Sequence, residues 1–102
     1  MNLKKLLKQA QEAQAGMAKF QEELAAMRVS GAAGGGLVSA TVSGQGELVG
    51  LRIDPSVADP KEVEMLEDLI VAAVAEARRK ANEFAEGEMS KRFGGLVGGL
   101  GL

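Results

Sequence analysis

Residues 3–27, LKKLLKQAQEAQAGMAKFQEELAAM, decide the fold. Apolar side chains recur at Leu3, Leu6, Ala10, Ala13, Met17, Phe20, Leu24 and Met27, in alternating steps of three and four. That alternation is a heptad seam along one side of a helix. Gln9, Gln11, Glu12, Gln14, Gln21, Glu22 and Glu23 fall off the seam, and no Pro interrupts it. Gly16 is the one weak point, costing about 1 kcal/mol against Ala in a helix interior. The spacing predicts one long helix over 3–28.

The pattern then changes period. Gly31 and the run Gly34-Gly35-Gly36 end the helix and open a loop, with Val29 a candidate for a further short strand. From Leu37 to Ser43 the chain alternates, Val38, Ala40 and Val42 on one face and Ser39, Thr41 and Ser43 on the other. Glu47 to Asp54 alternates again, with Val49, Leu51 and Ile53 together. Ser43-Gly44-Gln45-Gly46 between them is turn chemistry, so 37–43 and 47–54 read as an antiparallel hairpin. Asp59-Pro60-Lys61-Glu62 starts a second helix: Asp59 caps, Pro60 suits the first helical position and Glu62 stands where a capping box needs it. Val63, Leu66, Leu69, Ile70, Ala73, Val74, Ala77, Ala81 and Phe84 give that helix, over 60–92, a broad apolar stripe. Residues 94–102 hold five of the fourteen glycines and read as a flexible Gly-rich tail. The fold class is α+β in a single domain, 1–93: long helix, small antiparallel sheet of two to three strands, long helix.

Lengths bear on assembly. A helix of about 26 residues spans about 39 Å, whereas a strand of about seven residues spans about 23 Å. The first helix is apolar along its whole length, so its seam outruns any sheet this chain can make. The second helix covers part of it, and a second copy of the chain is the natural partner for the rest. The expectation is a homodimer packed through the Leu3–Met27 seam. A monomeric helical hairpin over a small sheet is the simpler alternative.

Composition removes most chemistries. The 102 residues include no Cys, no His, no Trp and no Tyr, and only three Phe. Thiolate, histidine-base and Ser-His-Asp chemistry are therefore absent, as are Cys/His zinc sites. The acid pairs Glu22-Glu23 and Glu67-Asp68 are helix neighbours that point apart. Gly34-Gly35-Gly36 precedes a strand and Gly44-x-Gly46 opens no helix, so neither is a phosphate or dinucleotide loop. No enzyme, no metal, no cofactor and no small-molecule substrate is expected. The longest apolar run, Leu69 to Ala75, is too short for a membrane span of about 20 residues, and no signal peptide is evident. A cytoplasmic protein without a membrane partner follows.

The net charge of -2 conceals a pattern. Residues 1–30 sum to +2, carrying Lys4, Lys5, Lys8, Lys19 and Arg28. Residues 31–60 sum to -2 and residues 61–76 to -4. Residues 77–93 return to +2, carrying Arg78, Arg79, Lys80, Lys91 and Arg92. Basic segments can hold duplex phosphates without base readout, and the scarcity of aromatics argues against stacked single strands. Pairing of Lys8 with Glu12, Lys19 with Glu23 and Lys80 with Glu76 would instead make these ordinary solvated charges.

Certain strings are more specific together than alone: Lys8-Gln9-Ala10-Gln11, Gln21-Glu22-Glu23-Leu24, Val29-Ser30-Gly31 followed by Gly35-Gly36-Leu37-Val38, Ile53-Asp54-Pro55-Ser56, and Met65-Leu66-Glu67-Asp68-Leu69-Ile70. In order and spacing, across residues 3–93, the chain resembles the YbaB/EbfC family of bacterial nucleoid-associated proteins. The resemblance implies a tweezer-like homodimer with helices projecting from a central sheet. It implies binding of double-stranded DNA on the nucleoid, altered DNA conformation, and roles in gene expression, nucleoid organisation and DNA protection. It assigns the DNA contacts to basic residues of the projecting helices, here Lys4, Lys5 and Lys8 with Arg78, Arg79 and Lys80, followed by Lys19, Lys91 and Arg92. Many members carry Lys after the Gly-Leu-Val of the strand, where Ser39 stands here. The competing reading is a coiled-coil scaffold or prefoldin-like holdase, gripping protein clients through Leu3, Leu6, Leu7, Phe93 and the tail.

Overall fold

Gly31 is the point at which sheet and helix meet. A Cβ there would lie 2.3 Å from the Ala77 backbone nitrogen and 2.8 Å from the Ala73 carbonyl oxygen. The computed structural model, which describes the backbone of residues 2–99 and side chains through residue 94, shows why. Helix α1 (Leu3–Ala26) leads into strands β1 (Val29–Ala33), β2 (Val38–Val42) and β3 (Leu48–Ile53). Two 3-10 turns, Pro55–Val57 and Pro60–Glu62, precede helix α2 (Val63–Gly99). The sheet is antiparallel in the order β1-β2-β3. Val29 thus belongs to a full third strand.

Helix α2 packs along β1 and β2. Alternation turns Val38, Ala40 and Val42 inward, all fully buried, against the equally buried Ala73, Ala77 and Ala81. Alanines four residues apart form one stripe of a helix, and a stripe without bulk lets the helix backbone rest on Gly31. Strand β3 reaches this core through the half-buried Ile53, opposite Val38, and otherwise lies at its edge. Leu51 stands opposite Ala40 and so shares the core face, yet it is 43% exposed, and Leu48 and Val49 are exposed as well. A bulge at Thr41/Val42 breaks the strict alternation expected of Val49.

The connections follow their residue types. Gly34, Gly35 and Gly36 take φ of +64°, +70° and +95° in succession, a left-handed run that links β1 to β2. The β2–β3 turn centres on Ser43, whose buried hydroxyl accepts from Gln45 N and Glu47 N at 3.2 and 3.3 Å. The helix start at Asp59 differs from a capping box. Its carboxylate accepts from Lys61 N at 2.9 Å, because the first turn is 3-10 and brings a nearer amide to it. The regular α-helix begins at Val63, not at residue 60.

Helix α2 continues through Gly94–Gly99, a stretch expected to be tail, because an established helix adds one hydrogen bond for each residue it fixes. Residues 100–102 of the expected tail lie outside the described residues. The Leu3–Met27 seam is only partly covered in the single chain. Phe20 and Leu24 are buried and Ala13 and Met27 half-buried, while Leu3, Leu6, Ala10 and Met17 are exposed.

Alpha-helical arms account for the shape. The chain extends 70 × 23 × 16 Å with a radius of gyration of 19.6 Å, against about 13 Å for a compact chain of about 100 residues. Contacts climb α2 as they descend β1 and α1: Gly31 meets Ala77, Ser30 meets Lys80, and Glu23 meets Arg92. The two helices therefore run antiparallel and leave the sheet on the same side.

The Gly31 contact predicts that Gly31→Ala destabilises the fold by about 3 kcal/mol or more, since main chain must move to admit the methyl group. Urea denaturation measures this, and a midpoint equal to that of the wild type would contradict the packing described.

Candidate nucleic-acid interface

Helix α1 is held near its end and free beyond it. Phe20 packs edge-to-face on Phe93 with centroids 5.9 Å apart, and the Arg92 guanidinium lies 4.9 Å above the Phe20 ring. Arg92 also pairs with Glu23 at 2.6 Å and with Glu88 at 3.7 Å. Gly44 completes the attachment: its amide donates to the Leu24 carbonyl at 2.8 Å, and a Cβ would lie 2.7 Å from that oxygen. The Gln45 side chain adds a bond to Gln21 Oε1 at 3.0 Å. From Phe20 to Leu3 the helix runs about 26 Å further. In α2 the described helix passes Phe93 by about 9 Å only. Among the described residues, the first turns of α1 therefore project alone.

Lys4, Lys5 and Lys8 stand on this projecting end and are exposed. Among the described residues no carboxylate lies within 4 Å of any of them. The first turn of α1 holds no acid to offset the helix dipole, and Asn2 caps it by accepting from Lys5 N at 3.3 Å. Free amides, the positive end of the dipole and three ammonium groups together favour an approaching anion. Lys19 and Lys91, also exposed and likewise without a carboxylate in range, lie further down the arm.

The other basic candidates are engaged within the fold. Arg78, Arg79 and Lys80 lie beside the sheet, about 20 Å along α2 from Lys91, rather than on the arm. Arg78 Nε donates to the Gly46 carbonyl at 3.0 Å, tying α2 to the hairpin turn. Lys80 Nζ donates to the Ser30 carbonyl at 3.2 Å, with Glu76 3.9 Å away. Arg79 is forked between Glu76 and Glu83, both at 2.8 Å, which raises its pKa further above the ordinary guanidinium value. Of the three pairs expected from sequence, Lys80–Glu76 forms. Lys8–Glu12 and Lys19–Glu23 do not, and Glu23 is taken by Arg92 from the other helix. Arg92 is thus a latch between the helices as well as a surface cation.

Sequence reasoning passed over Arg52. It is exposed on β3, opposite Ser39, and no carboxylate among the described residues lies within 4 Å of it. The alternation of β3 was the available signal, since it turns Arg52 to the face away from α2. Stacking surface is scarce: Phe20 is buried and Phe93 packs on it, leaving Phe84 exposed. No group of three or more His, Cys, Asp or Glu able to hold a metal occurs among the described residues. None of the described helices is long and apolar enough to cross a membrane.

A three-stranded sheet under one long helix, with a second helix projecting a lysine-bearing end, defines a small α+β protein with a basic helical arm. The sequence profile of the YbaB/EbfC DNA-binding family matches residues 1–96, and the chain belongs to that family. It is 53% identical over 95 residues to a nucleoid-associated protein of Rhodococcus erythropolis, a match covering 93% of this chain and 85% of that protein. To a nucleoid-associated protein of Streptomyces avermitilis it is 51% identical over 100 residues, covering 98% of this chain and 85% of the relative. Its fold is similar to the crystal structure of an uncharacterized protein from Helicobacter pylori, with a TM-score of 0.78 at 23% identity, covering 89% of this chain and 96% of that one.

The Arg79 fork makes one pH prediction. Its hydrogen bond holds the Glu76 carboxyl below the ordinary value of 4.5. A depressed carboxylate stabilises the native state above its unfolded pKa, and that contribution disappears as pH falls through the native value. The stability advantage of the wild type over Glu76→Gln should therefore be constant from pH 7 to about pH 5 and shrink below about pH 4.5. Thermal melts across that range measure it; an advantage unchanged down to pH 2 would contradict the pairing.

Proposed function

We propose that this chain is a nucleoid-associated protein that binds duplex DNA as a homodimer. The reading rests above all on one observation: the projecting end of α1 presents Lys4, Lys5 and Lys8 with no carboxylate within 4 Å among the described residues, beside an apolar seam that the described residues leave open. Family membership supports the DNA partner.

Phosphate contacts rather than base readout fit these residues. Three ammonium groups within two helical turns neutralise backbone charge and release condensed counterions, whereas specific readout uses amide or guanidinium forks aimed at base edges. Lys19 and Lys91 extend the basic row down the arm. Arg78, Arg79, Lys80 and Arg92 contribute field, with most of their hydrogen-bonding directions already occupied by Gly46, Glu76, Glu83, Ser30 and Glu23.

A second copy supplies what the seam lacks. Leu3, Leu6, Leu7 and Met17 are 39–68% exposed, a row of apolar groups that water solvates poorly. Exposed Leu48, Val49 and Leu51 on β3 form a further apolar surface. Two arms fixed at one separation can hold a duplex at two points and alter its path, with consequences for gene expression, nucleoid organisation and protection of the DNA. The place of action is the cytoplasmic nucleoid. The holdase alternative shares the apolar arm, but leaves the cluster of Lys4, Lys5 and Lys8 without a role.

Replacing Lys4, Lys5 and Lys8 together by Glu should weaken binding to a duplex at least about 10-fold, and should flatten the plot of log K against log salt by about 0.9 for each phosphate no longer neutralised. Gel shift or fluorescence anisotropy across a salt series measures both. Wild-type affinity and slope in the triple variant would remove the arm from the interface.

A further inference from the structure

The face of the sheet away from α2 is uncovered. Alternation places Ser30, Ala32, Ser39, Thr41, Gly50 and Arg52 on it, and cross-strand pairing brings Ser30 opposite Thr41, Thr41 opposite Gly50, and Ser39 opposite Arg52. Ser30, Ser39, Thr41, Gly50, Leu51 and Arg52 line a shallow groove of 380 Å³. The missing side chain at Gly50 keeps its floor open; the nearest side-chain atom to a Cβ there would be that of Thr41, at 3.8 Å. The Ser30 and Thr41 hydroxyls share one hydrogen bond of 3.2 Å, which leaves the other hydroxyl lone pairs and one proton available to a ligand.

We propose that this groove is a second contact for the phosphodiester backbone of duplex DNA, with Arg52 as its charged anchor and the Ser30, Ser39 and Thr41 hydroxyls as neutral donors. The inference rests on the DNA-binding reading above and extends it from the helical arm to the sheet. Charge complementarity selects the occupant. Beside Leu51 and Gly50, the groove is lined by three hydroxyls and a guanidinium without a carboxylate in range among the described residues, so an anion with several acceptor oxygens matches its polar groups. The next residue in the alternation, Asp54, does not oppose this: its carboxylate is turned to Ser56, accepting from the amide at 2.9 Å and the hydroxyl at 2.7 Å.

Position supports the same occupant. Lys80 reaches the β1 margin of the groove through its bond to the Ser30 carbonyl and keeps two further N–H donors. Arg52 stands on β3, two strand spacings or about 10 Å across the sheet. Lys80, with Glu76 3.9 Å away, and Arg52 thus stand at opposite edges of the sheet.

The test is a salt series on a defined duplex with Arg52→Ala, Arg52→Lys and Ser39→Asp, each checked for a wild-type melt. Arg52→Ala is expected to lower the slope of log K against log salt by about 0.9 per protomer. Arg52→Lys should restore the slope, and Ser39→Asp should weaken binding several-fold. If Arg52→Ala and Ser39→Asp bind with wild-type affinity and slope while the wild-type slope is steep, the groove is not a contact and the arm reading stands. If the wild type shows no salt-dependent binding, both readings fall.

Discussion

The seam on α1 is longer than anything its own chain can place against it, and the rest of the molecule follows from that mismatch. Phe20 and Leu24 are buried because the hairpin turn and the end of α2 reach them. Leu3 and Leu6 repeat the same pattern beyond that reach and stay in solvent. Burial of apolar area stabilises by roughly 25 cal/mol per Å², so an exposed row of this kind favours association. Lys4, Lys5 and Lys8 share the projecting end and are exposed there.

The attachment that aims the arm is small. Phe20, Phe93, Arg92 and Glu23 form a single cluster in which one guanidinium stacks on a ring and pairs with a carboxylate from the opposite helix. Exposed ion pairs contribute about 1 kcal/mol or less, so the buried Phe20 ring is the anchor and the ion pair sets orientation. At the other end, Gly31 and the alanine stripe bring α2 down onto β1 and β2. The helix centred there leaves β3 partly bare, which is why leucines on its core side remain exposed while Arg52 and the hydroxyls occupy the opposite side.

Local periodicity made most of this legible. The three–four steps of α1, the alternation of β2 and the apolar stripe of α2 depend on neighbours within a few residues, and each element stands where its pattern lies, α2 beginning at Val63 and running on past residue 92. Gly31 was not legible in its role. Its reason is the Ala77 backbone, 46 positions away, and the sequence alone offered only a loop residue. The candidate site divided in the same way. Lys80–Glu76 is a local pair and was anticipated, whereas Arg92–Glu23 joins two helices and displaced the local pair assigned to Lys19. Helix through Gly94–Gly99 ran against glycine's weak propensity, because propagation from a long preceding helix is decided by that helix.

The central claim is that a second copy of the chain covers the α1 seam and sets the two lysine-bearing arms at a fixed separation. Sedimentation equilibrium of the purified protein tests it most directly. The account predicts 21.2 kDa, twice the 10.6 kDa of one chain, and a shift toward 10.6 kDa when Leu3, Leu6 and Met17 are replaced together by Glu. A wild-type mass of 10.6 kDa at every concentration up to about 100 μM, weaker than any stable assembly, would contradict it.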